Sequence, residues 1–362
     1  MRRLSLVLTL FTLSTLMFGA QPTLTPQNSG TTSGLIAVSA VNSQVVWASG
    51  RFGTFTRTTD GGKTWHAGGV PGAEALQFRD VQAVNDQVAY LLSIGTGTDA
   101  RIYKTEDGGA TWTLQFQNQN PDAFYDCFAF WTPTSGLAQS DAVNGQFPVI
   151  RTRDGVNWEN IGDRLPMAQP GEASFASSGT CVATQGERRA WIVTGGAEKA
   201  RVLATTDGGN TWAAYNTPIV QGTPSSGIFS IAFRDAQHGI IGGGELDPTL
   251  PNDPRVARSS DGGQTWQVTA SQPDMGTIYG LAYAQNIGVG PAANNGKAGD
   301  GGPVAGPRTV VVTGPGGAAW SPDEGDSWNL LSGVTGYWAV TFANQKTGWF
   351  VGPSGTILRI DF

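Results

Sequence analysis

Histidine and cysteine are nearly absent from this chain: there are two of each in 362 residues, His66, His238, Cys127 and Cys181. So few histidines exclude His-rich metal sites and Ser–His nucleophilic catalysis. Charge is sparse too, at 14% of residues, and no basic run occurs. With a net charge of −6 the chain lacks the basic stripe that phosphate backbones demand, so nucleic acid is not an expected partner. No strand-type run is followed by a GxGxxG that opens a helix, which leaves no dinucleotide site; no cofactor and no metal are expected. Helical periodicity of useful length is missing after the first twenty residues.

Those twenty residues hold the one long apolar run. Arg2 and Arg3 precede an apolar stretch over 4–18 and a small-residue site at Phe18-Gly19-Ala20. This is the pattern of a signal peptide over 1–20, with an uncleaved anchor as the alternative. The run is short for a membrane span, and none is expected after cleavage. An exported protein, periplasmic or extracellular, follows as the expectation. In that compartment Cys127 and Cys181 can form a disulfide or remain two buried thiols.

What the chain has in excess is glycine, 51 residues, together with 12 tryptophans. Both are concentrated in one repeated phrase. TTDGGKTW at 58–65 returns as TEDGGATW (105–112), TTDGGNTW (205–212) and SSDGGQTW (259–266), with worn copies TRDGVNW (152–158) and SPDEGDSW (321–328). A hydroxyl, a carboxylate, a glycine and a tryptophan at these offsets cap a hairpin turn. The Thr and Asp side chains bond the turn's own backbone, Gly supplies positive φ, and Trp anchors the next strand. The acids Asp60, Asp107, Asp154, Asp207, Asp261 and Asp323 are therefore read as structural, one per unit and too far apart to share a bond.

Three short β-type runs precede each of these phrases, and a seventh such unit at 337–359 has no phrase after it. The missing strand can come from residues 22–26 at the other end. Strand exchange between the termini closes a ring and removes exposed sheet edges. The expected fold is all-β: one seven-bladed β-propeller over 21–362, its last blade completed by the N-terminal strand. With strands A to D running from the axis outward, the repeated phrase is the C–D turn. It shares a face with the A–B turns, and the B–C loops and D–A links form the opposite face.

The phrase S/T-x-D-x-G-x-T-W is the Asp box, or BNR repeat. Together with GEASFASSGTC at 171–181, AWIVTGG at 190–196 and GIFSIAFRD at 227–235, it makes the chain resemble exported bacterial propellers of the photosystem II stability/assembly factor-like family. The resemblance implies a chaperone-like scaffold that binds a protein during envelope or membrane-complex assembly. Asp-box propellers also act on sugars, so a carbohydrate-active enzyme or glycan binder is the alternative, glycoside hydrolase-like rather than oxidoreductase. A sialidase would need an arginine triad, a Tyr–Glu pair and an N-terminal FRIP-type motif; Phe147-Pro148-Val149-Ile150-Arg151 lies mid-chain and is not that motif.

Acids outnumber bases on the predicted B–C/D–A face, which suits cations or basic segments. Arg51, Asp141, Glu172, Glu198, Glu245 and Asp247 are the candidate binding residues there. No catalytic residue can be assigned. Arg57, Lys104, Arg151, Arg258 and Arg359 recur just before the box; they form either a basic ring or side chains whose stems pack between blades. A monomer is expected, with a protein or a glycan as ligand.

Overall fold

The computed structural model describes residues 21–285 and 308–362; residues 1–20, expected to be a signal peptide, and the Gly/Asn-rich stretch 286–307 lie outside the described residues. Seven four-stranded antiparallel sheets are arranged as propeller blades, and the only helical pieces among the described residues are three short 3-10 turns. Blade one runs Leu35–Ala40 (A), Val46–Gly50 (B), Thr54–Thr58 (C) and His66–Gly69 (D). The inner strands that follow are Gln77–Ala83, Tyr125–Thr132, Val182–Gln185, Ser226–Phe233, Gly280–Tyr283 and Ala339–Phe342.

Inner strands are apolar on both faces because each packs against two neighbouring blades. Outer strands, such as His66–Gly69, are largely exposed. In blade seven, the outer strand is Thr23–Asn28, antiparallel to Thr356–Asp361, with Thr23 opposite Asp361 and Asn28 opposite Thr356. Gln27 sits at this seam, and its Oε1 accepts from the indoles of Trp65 (3.0 Å) and Trp349 (3.1 Å), one from each blade.

The box explains its own composition. Thr58 Oγ1 donates to Asp60 Oδ1 (2.8 Å) and accepts from Gly62 N (2.9 Å), while Asp60 accepts from Thr64 N and Thr64 Oγ1. Gly61 has φ +75°, where a Cβ would also press on the Ser43 carbonyl at 2.9 Å. The same bonds recur at Asp107, Asp207, Asp261 and Asp323, and a shortened version holds Asp154. Threonine hydroxyl and backbone N–H donors hold the Asp60 and Asp107 carboxyls down to about 2. A carboxylate so committed to its turn is not available for chemistry.

Aromatic residues key one blade to the next. Trp47 Nε1 donates to Asn85 O, Tyr90 Oη to Pro133 O, Trp131 Nε1 to Arg189 O and Trp191 Nε1 to Gly262 O. Trp191 also stacks on Phe233 at 3.6 Å. Each such ring buries enough surface to contribute about 4–6 kcal/mol before entropy.

The basic residues before the boxes lie in the same seams. Arg151 Nη1 donates to Gly208 O (2.6 Å) and Arg359 Nη1 to Gly61 O (3.2 Å); Arg57 lies over Trp47 and Lys104 over Tyr90. The four arginines are inter-blade struts with their heads on carbonyls of the next blade, whereas Lys104 pairs with Glu106 of its own blade.

Candidate functional site

Inner strands of blades one, two, three and five each carry a β-bulge near the start, at Ile36, Arg79, Asp126 and Phe229. A bulge turns an extra side chain out of the ladder. Here the extra side chains narrow one end of the channel, on the B–C/D–A face. Phe229 lies 5.9 Å from Tyr279, Tyr279 is 5.3 Å from Trp338, and the Arg79 guanidinium lies 5.4 Å from the Trp338 ring centre.

Across this ring runs the link between blades three and four, residues 171–180. Ala173 pairs with Gly195 at one end, and Cys181 is disulfide-bonded to Cys127 at the other, with Cα atoms 5.9 Å apart. In between, Phe175 packs on Phe229 at 4.1 Å, and Ala176 O accepts from Arg79 Nη1 (2.8 Å). Ser177 and Ser178 both donate to Tyr279 O. The strap thus touches blades two, five and six. Gly179 is required where it passes Asp80: φ is +73°, and a Cβ would lie 2.6 Å from Asp80 Oδ1.

The channel is therefore closed where the sequence pattern suggested a mouth. A cavity of about 170 Å³ remains on the other side of the strap, lined by the later halves of the inner strands and by Ser178, Gly179 and Thr180.

The six candidate binding residues separate into two groups. Asp141, Glu172 and Glu245 turn inward. Glu172 accepts from Arg201 Nε (2.8 Å), Thr194 Oγ1 (2.6 Å) and Gln169 N (2.8 Å). Glu245 accepts from Thr223 Oγ1 (2.5 Å) and Asp247 N (2.9 Å). Asp141 accepts from Ser174 N of the strap (2.8 Å). Burial raises the Asp126 carboxyl well above the usual range and pushes Asp141 up to about 6. Arg51, Glu198 and Asp247 are exposed. Glu198 lies 3.8 Å from Lys199, and Asp247 caps its own turn through Thr249. The acids do not assemble into one acidic surface, because the buried ones are consumed in holding loops.

The sequence reading passed over Arg79, Asp126, Phe175, Phe229, Tyr279 and Trp338. For Arg79, Asp126 and Phe229 the signal was an unusual residue, charged or aromatic, near the start of an inner strand, but a bulge shifts the register and hides the equivalence. Large exposed apolar residues mark the same face: Phe52 (67% exposed), Met167 (62%), Leu246 (44%) and Leu250 (40%) lie on its loops.

Residues 56–67 match the family model of the BNR/Asp-box repeat, on the first of the hairpin turns described above. The chain is a seven-bladed β-propeller that carries the BNR/Asp-box repeat. Among curated proteins, none matches its sequence. Solved structures do: YCF48 bound to D1 peptide superposes with a TM-score of 0.63 at 16% identity, covering 94% of this chain and 97% of that one. YCF48 from Cyanidioschyzon merolae gives 0.59 at 16% identity, covering 93% and 98%. The WD40 β-propeller domain of Doa1 gives 0.58 at 12% identity, covering 93% and 97%. At these identities the likeness establishes the fold of the Asp-box propeller.

Proposed function

We propose that this Asp-box propeller is an exported scaffold that binds a segment of a partner protein on its B–C/D–A face, assisting assembly or stability of an envelope complex. The observation that carries the reading is that Phe52, Met167, Leu246 and Leu250 are all exposed on loops of the face that also carries the strapped aromatic–arginine ring. Exposed apolar side chains gathered on one face mark interaction sites. The peptide complex of YCF48, on the same fold, supports it. The Cys127–Cys181 disulfide suits an oxidising compartment, as the 1–20 segment leads one to expect.

The carbohydrate reading finds less support. Glycoside hydrolysis uses two carboxyls about 5–9.5 Å apart across a cleft. Asp126 is 1% exposed and Asp141 is engaged by Ser174 N of the strap, so these two carboxyls do not face an open cleft.

Cross-linking and pull-down from envelope extract provide the test. Replacing Phe52, Met167 and Leu246 together by Ser should abolish partner recovery, whereas Leu114→Ser with Val268→Ser on outer strands should not. Equal recovery by both sets refutes the assignment of the face.

A further inference from the structure

We propose that the strapped channel is a binding site for a short primary alkylammonium ion, its charge held by Asp80 and its hydrocarbon chain lying along an arc of alanines. The cavity of about 170 Å³ has two unlike walls. Strand register places Ser39, Gln82 and Thr341, of blades one, two and seven, at one equivalent position of the inner strands. In blades three to six the same position is Ala129, Ala183, Ala232 and Ala282. All of them line the cavity, so a polar arc of neighbouring blades faces an apolar one.

Two residues earlier on each strand, side chains point to the same side. That position is a small residue in six blades, Ala37, Cys127, Cys181, Ser230, Gly280 and Ala339, and in blade two it is Asp80. Asp80 lines the cavity beside the strap and is 5% exposed. Among the described residues it is the only charged one on the cavity wall, and no basic side chain pairs with it. Its Oδ2 accepts from Phe128 N (2.9 Å), a bond an asparagine would make equally well, so that bond does not account for the charge. The strap brings no side-chain donor to it. Gly179 passes Oδ1 without a side chain, and the hydroxyls of Ser178 and Thr180 are bonded to each other, to Tyr279 O and to Ser230.

A buried carboxylate without a counter-ion is costly, and burial raises the Asp80 carboxyl well above the usual range. A proton and a ligand cation are alternative ways to neutralise it. No group of three His, Cys, Asp or Glu side chains gathers here among the described residues, so the donor set does not favour a multivalent metal. An ammonium needs fewer oxygens: one N–H serves Asp80 and the others suit the hydroxyl and amide oxygens of the polar arc. The volume is close to the roughly 150 Å³ that admits a benzene-sized molecule, enough for a chain of a few carbons against the alanine methyls. With the strap across the other end, entry is from the Asp-box face, so the site is separate from the proposed partner surface and is tested without a partner.

Ligand-observed NMR titration of the disulfide-intact protein with n-butylammonium chloride at neutral pH provides the test. Five non-hydrogen atoms at ordinary ligand efficiency give a Kd of about 1 mM. n-Butanol, a neutral probe of the same size, should bind about tenfold more weakly or worse, because it offers no charge to Asp80. Asp80→Asn, which keeps an acceptor for Phe128 N, should weaken butylammonium by about the same factor and erase its advantage over butanol. Ala183→Leu leaves the carboxyl in place and fills the cavity, and should weaken both probes. If Asp80→Asn does not fold, Ala183→Leu and the butanol comparison decide. Equal binding of the two probes by the wild type, undiminished butylammonium binding by either variant, or no saturable binding up to about 20 mM overturns the site. Displacement by potassium chloride but not by choline chloride at the same ionic strength gives the carboxylate to an inorganic cation and overturns the alkylammonium assignment.

Discussion

Glu324 stands where the intact boxes have their first glycine, and replacing it by glycine should weaken the protein. Its φ is +58°, in the left-handed region, where a side chain costs about 1–2 kcal/mol. Restoring the consensus glycine removes that strain. Against this, the Glu324 carboxylate is buried and accepts from Arg234 Nε (2.5 Å), Tyr283 Oη (3.0 Å) and Arg308 Nε (3.1 Å). Arg234 is itself 9% exposed and would retain only Asp235. Removing one partner of a buried ion pair costs about 3–5 kcal/mol. The loss exceeds the relief, so Glu324→Gly should destabilise by about 2–3 kcal/mol. Urea unfolding at neutral pH reads this as a lower midpoint with an unchanged slope. Glu324→Gln, which keeps the strain but removes the charge, should fall in the same direction. A Glu324→Gly variant as stable as the wild type, or more so, refutes the reasoning and shows that box geometry outweighs the ion pair.

Three further outcomes are expected. Thr205→Val should cost about 1–3 kcal/mol in urea unfolding, because the buried Gly209 N–H loses its acceptor and Asp207 a donor; no change would remove the hydroxyl's role in the box. Reducing Cys127–Cys181 should lower stability by about 4 kcal/mol, the chain-entropy value for a 54-residue separation, checked by unfolding with and without reductant. Gln27→Leu leaves the Trp65 and Trp349 indoles without their shared acceptor and should cost about 2–4 kcal/mol. If that loss occurs, limited proteolysis should cut between residues 28 and 35 earlier than in wild type.

The fold was legible because its signals are local and repeated. A Thr, an Asp, a Gly and a Trp at fixed offsets have to bond one another wherever the phrase occurs, so Asp60 and Asp261 could be assigned without coordinates. The choice for the pre-box basic residues between a ring and struts was also a local one, and Arg151 and Arg359 resolve it by donating to box carbonyls of the next blade. The site was less legible because it depends on direction. Glu172 and Glu198 are both acids of the same face, yet one is buried against Arg201 and the other is exposed, and nothing in a linear pattern separates them. The strap was visible only as a motif, GEASFASSGTC, whose crossing of the channel requires contacts with Arg79 and Tyr279, each about 100 residues away.

That contrast says where function resides in a repeat protein. Positions that recur in every unit are held by requirements every unit shares, such as turn closure and blade packing, and a ring of equivalent residues has no preferred direction for a ligand. A binding site needs the symmetry broken. The bulged positions do this: Ile36, Arg79, Asp126 and Phe229 occupy related places in four blades yet are an aliphatic residue, a cation, a buried acid and an aromatic ring. The strap deepens the asymmetry by crossing from one side of the ring and bonding to specific members of it. The face with the least repetition in its sequence is thus the one with a distinct chemical identity, and the repeated boxes on the opposite face are what allows it to vary.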